Sequence, residues 1–397
     1  MSKKSSYNVS DIRGASKLTV QAIVSIIDLV ETVHSTVSLT KSKTEDRKGG
    51  LSGFIYWIIR GITHLVGGGV DRTLAVLEKN LITELYLSKT GKPDHNIDDT
   101  NRQIMLSIVN GVLGDYLVEK ENPLAISMVL NQTIKTNSDS SLLLIHGLCM
   151  NSQQWKKNGF DYGNQLSTTL GSNLFSLDYN SGKHISENGQ ELSEKLEELY
   201  LKKELGSELH VLAHSMGGLV IRSAVYYGEN SGKSWVKILK KVVFLGTPHH
   251  GAPLEVGGNW FESLLEISDY SKPFARLGKI RSSGITDLRY GNLTDEDWKF
   301  NDRFNRSHDP RLPIPLSENI QWYAIAGTVS AESELLNASF VGDGLVPVNS
   351  ALGVSRFERH QLEFPETHTL VLKGVAHLAL LGNEKVYGQV LSWLKEA

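Results

Sequence analysis

The stretch "LHVLAHSMGGLVIRSA", residues 209–224, places one serine between an apolar run and a helical pattern. Ser215 has small residues two positions before and after it, Ala213 and Gly217. A strand that turns sharply into a helix needs small residues there, because the two backbones approach each other closely. The side chain at the corner is then exposed at the carboxyl edge of a sheet, where it can act as a nucleophile. The alternative is an ordinary serine in a surface turn.

A serine hydroxyl needs a base, and the base needs a third group to orient it. Two downstream stretches offer these partners: "VGDGLVPVNSA" contains Asp343, and "KGVAHLALL" contains His377 just before the final helical pattern. Serine, acid and histidine, each following a later strand, is an order that parallel-sheet hydrolases use. Singly, Asp343 is equally a turn-forming aspartate and His377 a structural histidine. Together with Ser215 they predict a catalytic triad.

Other histidines and acids occupy weaker positions. His368 begins the last predicted strand and therefore lies at the opposite edge of a parallel sheet. His214 sits inside the turn and points away when the nucleophile points into the site. His249 precedes the acid in the chain, so we predict that it lines the substrate site. Asp309 and Glu363 are the alternative acids.

Acyl transfer also needs hydrogen-bond donors for the developing oxyanion. Met216 follows the nucleophile and supplies one backbone N–H. The stretch "LLLIHGLCM" supplies a second from Leu148, because Gly147 permits a tight turn. We predict that His146 and Gly147 also line the substrate site. The alternative interpretation of this His-Gly pair is a simple turn.

The elements that must position these residues follow residue 137. Short, near-continuously apolar runs alternate with helical patterns, as expected for strands buried on both faces of a parallel sheet. The predicted strands are 141–146, 173–179, 209–214, 240–246, 320–327 and 368–375. The predicted helices are 185–203, 217–228 and 382–396. The interruption at 247–319 is too long for a plain loop and predicts an inserted lid or cap with helices of its own.

The part before residue 137 has helical patterning, and "NSDSS" at 137–141 is typical of a linker. The sequence therefore predicts an N-terminal helical region, residues 1–136, and an α/β catalytic domain, residues 137–397. The predicted N-terminal helices are 16–39, 51–70, 71–88 and 99–118.

Bulk composition excludes several classes. The chain has 397 residues, a formal net charge of -3 and no long basic run, so we expect no nucleic-acid partner. The single cysteine, Cys149, excludes a disulfide within the chain. No apolar run reaches the roughly 18 residues of a membrane-spanning helix. The start does not resemble a secretory signal, so we expect a cytoplasmic or peripherally membrane-associated protein. No metal or cofactor is expected, and a structural calcium ion stays open.

Five stretches together carry a family resemblance: "IHGLCMNSQQW", "LAHSMGGLV", "LGTPHHGAPLE", "GDGLVPVNSALG" and "VAHLALL". They resemble bacterial lipases and esterases of the α/β-hydrolase fold, nearest the GPI inositol-deacylase-like and triacylglycerol lipase branch, over residues 140–397. The resemblance implies a triad of Ser215, Asp343 and His377 and an oxyanion hole formed by Leu148 and Met216. It implies ester hydrolysis through an acyl-enzyme. The N-terminal region, and Ala213 where the motif has glycine, depart from the pattern.

Two apolar stretches bear on the substrate. Trp260, Phe261 and Leu264 lie at near-helical spacing within the insertion, and they form either a helix packed on the domain or a wall for an acyl chain. Residues 51–66 belong to the most hydrophobic stretch, which is a buried cap helix, a lipid-contacting helix or an oligomer contact. The polar loop 178–190 either lines the pocket or caps the following helix.

The sequence thus predicts a serine carboxylic-ester hydrolase, a carboxylesterase or triacylglycerol lipase, acting on lipid-like or apolar esters. Alternative functions are a phospholipase, a thioesterase or a polyester depolymerase. A further alternative is a membrane- or partner-docking protein whose hydrolase domain is silent.

Overall fold

The computed structural model describes residues 95–157, 159–252, 282–299, 311–330 and 342–396. The chain divides into two compact units. One contains residues 1–102 and 120–124, and the other contains residues 103–119 and 125–397. The second unit holds the sheet that positions the candidate site.

The second unit is built on a seven-stranded, mostly parallel sheet with the strand order β1-β5-β2-β6-β7-β8-β9. Only β1 runs antiparallel to its neighbour, β5. The strands are β1 Val129–Ile134, β2 Ser140–Ile145, β5 Asn173–Asp178, β6 Glu208–His214, β7 Leu239–Leu245, β8 Gln321–Thr328 and β9 Thr369–Lys373. Two short strands, β3 Lys156–Lys157 and β4 Phe160–Asp161, form a separate pair. The predicted parallel α/β sheet is confirmed, and each predicted strand is present within two residues of its expected ends.

Helices cover both faces of the sheet. The described helices are α1 His95–Glu119, α2 Tyr162–Leu170, α3 Ile185–Leu201, α4 Met216–Asn230, α5 Ser283–Asp287, α6 Glu296–Lys299, α7 Val348–Ala351 and α8 Glu384–Lys395. Alternate strand residues, which point to one face of a sheet, pack with side chains of α2 and α8 in one core cluster. Helices α3 and α4 pack against each other, and α4 contacts β2 and β6. Short 3₁₀ helices span Ser152–Trp155, Trp235–Ile238, Glu358–His360, Glu366–His368 and His377–Gly382.

Strand β1 was not predicted, although it lies within residues 1–136, the part of the chain predicted to be a helical region. This edge strand has mostly exposed or half-buried side chains and a polar centre, Asn131 to Thr133, so it lacks the apolar run that marks the inner strands. Strand β1 and residues 103–119 of α1 belong to the compact unit that holds the sheet. The boundary predicted at residues 136 and 137 therefore falls inside this unit.

Some of the predicted helices fall within the described residues and others do not. Helix α1 corresponds to the predicted helix 99–118, and α3, α4 and α8 correspond to the three predicted in the catalytic part. The insertion contains α5 and α6, while its role as a lid stays a prediction. The predicted helices 16–39, 51–70 and 71–88 lie outside the described residues. Within the described part of the chain, no helix is both long and apolar enough to cross a membrane.

Candidate active site

Ser215 occupies a strained turn between β6 and α4. Its φ of 53° and ψ of -125° lie in a region that costs a residue with a side chain about 1–3 kcal/mol. Neighbouring backbone holds it there: the N–H of Ser215 donates to the carbonyl of Leu245 at 2.9 Å, and its carbonyl accepts from Gly218 at 3.0 Å. The turn places the serine at the carboxyl edge of the sheet, as the sequence predicts.

The two glycines that follow the serine are sterically required. A Cβ at Gly217 would lie 2.6 Å from the carbonyl oxygens of both Ile145 and His146, which end β2 and begin its loop. A Cβ at Gly218 would overlap the side chain of Thr247. Helix α4 therefore approaches the ends of β2 and β7 more closely than a larger residue would allow.

Ala213 departs from the glycine of the usual motif without blocking the turn. It lies within β6, in register with Ile145 of β2 and Phe244 of β7, and is fully buried. A regular strand position has room for one Cβ, so the close approach depends on the glycines after the serine.

Asp343 and His377 form a buried pair. His377 Nδ1 lies 2.6 Å from Asp343 Oδ2, and the side chains are 3% and 1% exposed. Asp343 Oδ1 accepts from the backbone N–H groups of Leu345 at 3.0 Å and Val346 at 2.8 Å. The backbone N–H of His377 also donates to the carbonyl of Asp343 at 3.0 Å. With Nδ1 as the donor to the carboxylate, Nε2 of the neutral ring is left as a base.

The pair lies next to the serine at one edge of the sheet. A Cβ at Gly246, directly after β7, would lie 3.0 Å from His377 Nδ1 and 3.1 Å from Asp343 Oδ2. The preceding residue, Leu245, accepts the N–H of Ser215. Among the described residues, no hydrogen bond joins Ser215 Oγ to His377 Nε2. The structure thus brings acid and base into contact and leaves the serine beside them, and catalytic contacts often tighten only when substrate binds.

The loop after β2 passes directly beside the serine. A Cβ at Gly147 would lie 3.0 Å from Ser215 Cβ. Leu148 is buried, and Met216 is the first residue of α4, where backbone N–H groups have no partner within the helix. In the described part of the chain, neither of these two N–H groups has a protein acceptor. The two segments that carry these N–H groups lie next to Ser215, and their role as oxyanion donors stays a prediction.

Helix α1 holds this loop in place, which the sequence reasoning missed. Cys149 has a φ of 59°, its N–H donates to Ser181 Oγ at 3.0 Å, and its sulfur lies 4.0 Å from the carbonyl of Ile108. A Cβ at Gly111 of α1 would overlap the Cys149 sulfur and lie 3.0 Å from its Cα. Burial raises the pKa of the Cys149 thiol to about 12, so this residue is a packing group and not a second nucleophile.

Two further histidines support the backbone of the site. His214 Nε2 lies 3.3 Å from the carbonyl of His377, and the two rings are 4.7 Å apart. Burial and the neighbouring His377 hold the pKa of His214 well below its usual range, so the neutral ring donates to that carbonyl. His146 Nδ1 donates to the carbonyl of Gly147 at 2.8 Å, and its ring stacks on Tyr179 at 4.4 Å. His146 is buried and holds its own loop, so a role in contacting substrate stays a prediction.

His249, another predicted substrate contact, lines a different part of the molecule. His249 is fully buried and accepts a hydrogen bond from Arg222, on the wall of a cavity that none of the three triad candidates lines. Trp260, Phe261 and Leu264 lie outside the described residues. Their assignment to an acyl wall stays a prediction.

The rival groups lie elsewhere. His368 Nδ1 contacts the carbonyl of Trp322 near the start of β8, at the opposite edge of the sheet. Glu363 is exposed, and Asp309 lies outside the described residues. No group of acidic, histidine or cysteine side chains in the described ranges could hold a metal ion.

The polar loop 178–190 contacts the loop after β2 and the start of α3, while its lining of the pocket stays a prediction. Ser181 Oγ accepts the N–H of Cys149, in the loop after β2. His184 precedes α3, and its Nδ1 lies 3.0 Å from the buried carboxylate of Asp287, which also accepts from the N–H of Ile185 at 2.9 Å. The loop 178–190 therefore contacts the loop after β2 through Ser181, and its contact with Asp287 fixes the start of α3.

Comparisons with known proteins agree with this architecture. Residues 136–328, just under half of the chain, match the family model of a PGAP1-like alpha/beta domain. That range contains Ser215 and ends before Asp343 and His377. No curated protein sequence matches the chain.

Three solved structures are among those to which this chain is similar. A Bacillus licheniformis lipase, BlEst2 in mature form, is 19% identical, with 66% of this chain and 97% of that chain covered and a TM-score of 0.42. The Pyrococcus furiosus esterase Pf2001 is 16% identical, with coverage of 66% and 83% and a TM-score of 0.38. A carboxylesterase structure from Nitrososphaera gargenis is 14% identical, with coverage of 67% and 93% and a TM-score of 0.39.

Proposed function

We propose that this PGAP1-like α/β domain, which has the α/β-hydrolase fold, hydrolyses carboxylic esters through an acyl-enzyme formed on Ser215. The observation that carries the proposal is the buried 2.6 Å contact between Asp343 and His377, at the sheet edge where Ser215 holds a strained turn. A carboxylate that orients a neutral imidazole beside a serine is the arrangement that activates a hydroxyl for acyl transfer.

The first half of the reaction acylates the serine. His377 Nε2 takes the proton of Ser215 Oγ while that oxygen attacks the ester carbonyl carbon. Asp343 fixes the ring tautomer and stabilises the imidazolium that forms. The N–H groups of Leu148 and Met216 donate to the negatively charged oxygen of the tetrahedral intermediate. The intermediate then collapses, and the departing alcohol takes its proton from His377.

The second half releases the acid. A water molecule gives its proton to His377 Nε2 and attacks the acyl carbon. The same two N–H groups stabilise the second tetrahedral intermediate. Its collapse breaks the bond to Ser215 Oγ, which recovers a proton from His377, and the carboxylic acid leaves.

Removing the nucleophile tests this proposal. The variant Ser215→Ala is expected to lose ester hydrolysis by about 10⁶-fold in kcat, as when a serine hydrolase loses its nucleophile. The assay is p-nitrophenyl ester hydrolysis, with circular dichroism to verify folding. Ser231→Ala, at the exposed end of the same helix, is the matched control and is expected to keep full activity. Full activity in Ser215→Ala would refute the assignment.

We further propose that the substrate is a lipid-like or apolar ester, and that residues 51–66 contact a lipid surface. Support comes from the apolar patterns of residues 51–66 and 260–267 in the sequence. Hydrolysis should be measured over a series of acyl chain lengths, with and without lipid vesicles. A rise in rate with chain length, and a further rise at the vesicle surface, is expected. Preferential cleavage of thioesters or phospholipids would favour the alternative substrates instead.

A further inference from the structure

The backbone of the candidate base is contacted by three other parts of the chain. His377 begins a 3₁₀ helix, and its N–H donates to the carbonyl of Asp343 at 3.0 Å. The carbonyl of His377 accepts from His214 Nε2 at 3.3 Å. The next carbonyl, that of Leu378, accepts from the ammonium group of Lys157 at 2.6 Å. Two successive carbonyls at the start of this helix are therefore bound by side chains that lie far away in the sequence.

Lys157 places its ammonium group at this carbonyl and not in solvent. The residue is half-buried, and the bond to Leu378 is the one hydrogen bond of its side chain in the part of the chain that the structure describes. Its aliphatic stem lies along Gly382, because a Cβ added there would lie 3.6–3.7 Å from three of its carbons. Burial lowers the pKa of Lys157. A lysine normally keeps its ammonium group in water, so this withdrawal is unfavourable unless the contact with Leu378 offsets it.

A rigid segment connects Lys157 to the loop after β2. This segment is the 3₁₀ helix Ser152–Trp155, which begins with a capping box. In the capping box, Gln154 Oε1 accepts the N–H of Asn151 at 2.8 Å. Trp155 is buried in the same core cluster as two leucines that follow the candidate base in the chain. The backbone of Lys157 is therefore held in place relative to that loop.

The two donors come from the other two parts of the candidate site. His214 directly precedes Ser215 in the strained turn. Lys157 follows the loop after β2, which lies beside the serine at Gly147. The hydrogen bonds to these two carbonyls thus connect the base to the nucleophile turn and to that loop. A misplacement of about 1 Å in a catalytic group can cost about 10²-fold in rate, so the position of the base matters.

We propose that Lys157 is a positioning residue for His377, which acts together with His214 by holding the two carbonyls at the start of the helix that carries the base. Its ammonium group acts through the carbonyl of Leu378 and not on the reacting atoms. This role rests on the proposed function, in which His377 is the base. A displaced base impairs the transition state and leaves substrate binding unchanged, so loss of Lys157 should lower kcat without changing KM.

Removing the ammonium group tests the role of Lys157. Lys157→Met keeps an aliphatic stem and is expected to lower kcat by about 10- to 100-fold, with KM within about twofold of the unmodified enzyme. Lys157→Arg keeps a charged donor and is expected to lose less. Steady-state kinetics on a soluble p-nitrophenyl ester measure both constants. An unchanged kcat in folded Lys157→Met, or a loss of activity that appears in KM alone, would overturn the proposal.

Two other lysines provide matched controls. Lys156 precedes Lys157 in β3, is exposed and pairs with Asp161 at 3.3 Å, so Lys156→Met should change neither kcat nor stability by much. Lys241, near the start of β7, also donates to a backbone carbonyl, that of Trp393 at 2.8 Å. Lys241→Met is expected to lower stability and to keep kcat. An equal fall of kcat in Lys241→Met would show that lost stability, and not the position of the base, explains the effect.

Chemical rescue separates a displaced base from a misfolded chain. Lys157→Cys is expected to lose kcat as Lys157→Met does, and treatment with 2-bromoethylamine then attaches an ammonium group to the new thiol at nearly the lysine position. Cys149 is the only native cysteine, and burial raises the pKa of its thiol to about 12, so it stays unmodified. We expect the treated variant to regain most of its kcat. Complete alkylation, verified by mass spectrometry, without any gain in kcat would contradict the proposal.

A measurement without substrate separates failure of this proposal from failure of the proposed function. Hydrogen exchange in residues 377–382 should be faster in Lys157→Met than in the unmodified chain, and unchanged in Lys156→Met. Unchanged exchange in Lys157→Met would overturn the role of Lys157 whatever the activity. Faster exchange in a chain whose unmodified form hydrolyses no ester would refute the proposed function while supporting the contact that holds this helix.

Discussion

Asp343 has its carboxylate oxygens fully engaged, with two backbone N–H groups on Oδ1 and His377 on Oδ2. The carboxylate cannot rotate without breaking at least two of these bonds. It therefore fixes the orientation of the His377 ring.

Removing the charge of Asp343 is expected to slow ester hydrolysis. Asp343→Asn presents an amide NH₂ or a neutral oxygen to His377 Nδ1, which permits the unproductive tautomer. We expect kcat for ester hydrolysis to fall by about 10⁴-fold, the size of effect known for a triad aspartate. Steady-state kinetics on a soluble p-nitrophenyl ester measures it.

The chain offers a matched control for this variant. Asp287 is also a buried aspartate that contacts a histidine Nδ1, that of His184, at 3.0 Å. Asp287→Asn is expected to lower stability while leaving kcat within a few-fold of the unmodified enzyme. Equal losses of kcat in the two variants would show that any buried aspartate matters, and would remove the special role of Asp343.

Single residues were predictable where a chemical pattern marks them. Ser215, Asp343 and His377 are each weak signals, but their order after successive strands is specific. The residues that support them carry no such mark. The contact between His214 and the carbonyl of His377 joins residues 163 positions apart, and that between Ser181 and Cys149 joins residues 32 apart. Such pairs depend on the folded path of the chain.

A strand could be predicted from the sequence when its residues form a continuous apolar run. Strands β2, β5, β6, β7 and β8 are buried almost throughout, so their sequences are continuous apolar runs. Strand β1 lies at the edge and is largely exposed, so its polar residues resemble a loop. The sheet could thus be predicted from sequence except at its antiparallel edge, because β9, at the other edge, is half-buried or exposed but keeps an apolar run, Leu370 to Leu372.

The contact between helix α1 and the loop after β2 can be tested by mutation. Gly111 lets α1 lie against Cys149, so Gly111→Ala must move the backbone next to Leu148, whose N–H we propose as an oxyanion donor. We expect kcat to fall by about 10-fold or more, approaching the 10²-fold of a lost oxyanion donor, with a smaller change in KM.

Gly388 of α8 is the matched control for that variant. A Cβ there meets no atom within 4 Å. Gly388→Ala should keep full activity and raise the free energy of unfolding by about 0.5–1 kcal/mol, since alanine is the better helix former. An unchanged kcat in Gly111→Ala would show that α1 does not position the loop after β2.

At the scale of the whole molecule, several histidines are buried in the neutral form. Burial lowers the pKa of His210 and of His250 to about 4, and it also lowers the pKa of His146, His214 and His249. In the unfolded chain a histidine titrates near pH 6.5. Between these values the unfolded chain binds protons that the folded protein does not.

This difference sets the pH dependence of stability. The contribution of these histidines is fully present above about pH 6.5 and declines as the pH falls towards about 4, by up to about 1.4 kcal/mol per pH unit for each histidine. Urea unfolding at about pH 7.5 and about pH 5 should show a clear loss of stability at the lower pH. His210→Asn should reduce that loss. A stability that is constant or rises towards pH 5 would contradict the buried neutral state.

Covalent labelling measures whether Ser215 is an activated nucleophile. A fluorophosphonate should add one adduct to the full chain, and peptide mapping by mass spectrometry should place it on Ser215. Pretreatment of the unmodified chain is expected to abolish ester hydrolysis in proportion to labelling, and Asp343→Asn should label far more slowly. An unlabelled Ser215 in a folded chain, or an adduct on another residue that accounts for the loss of activity, would contradict the account.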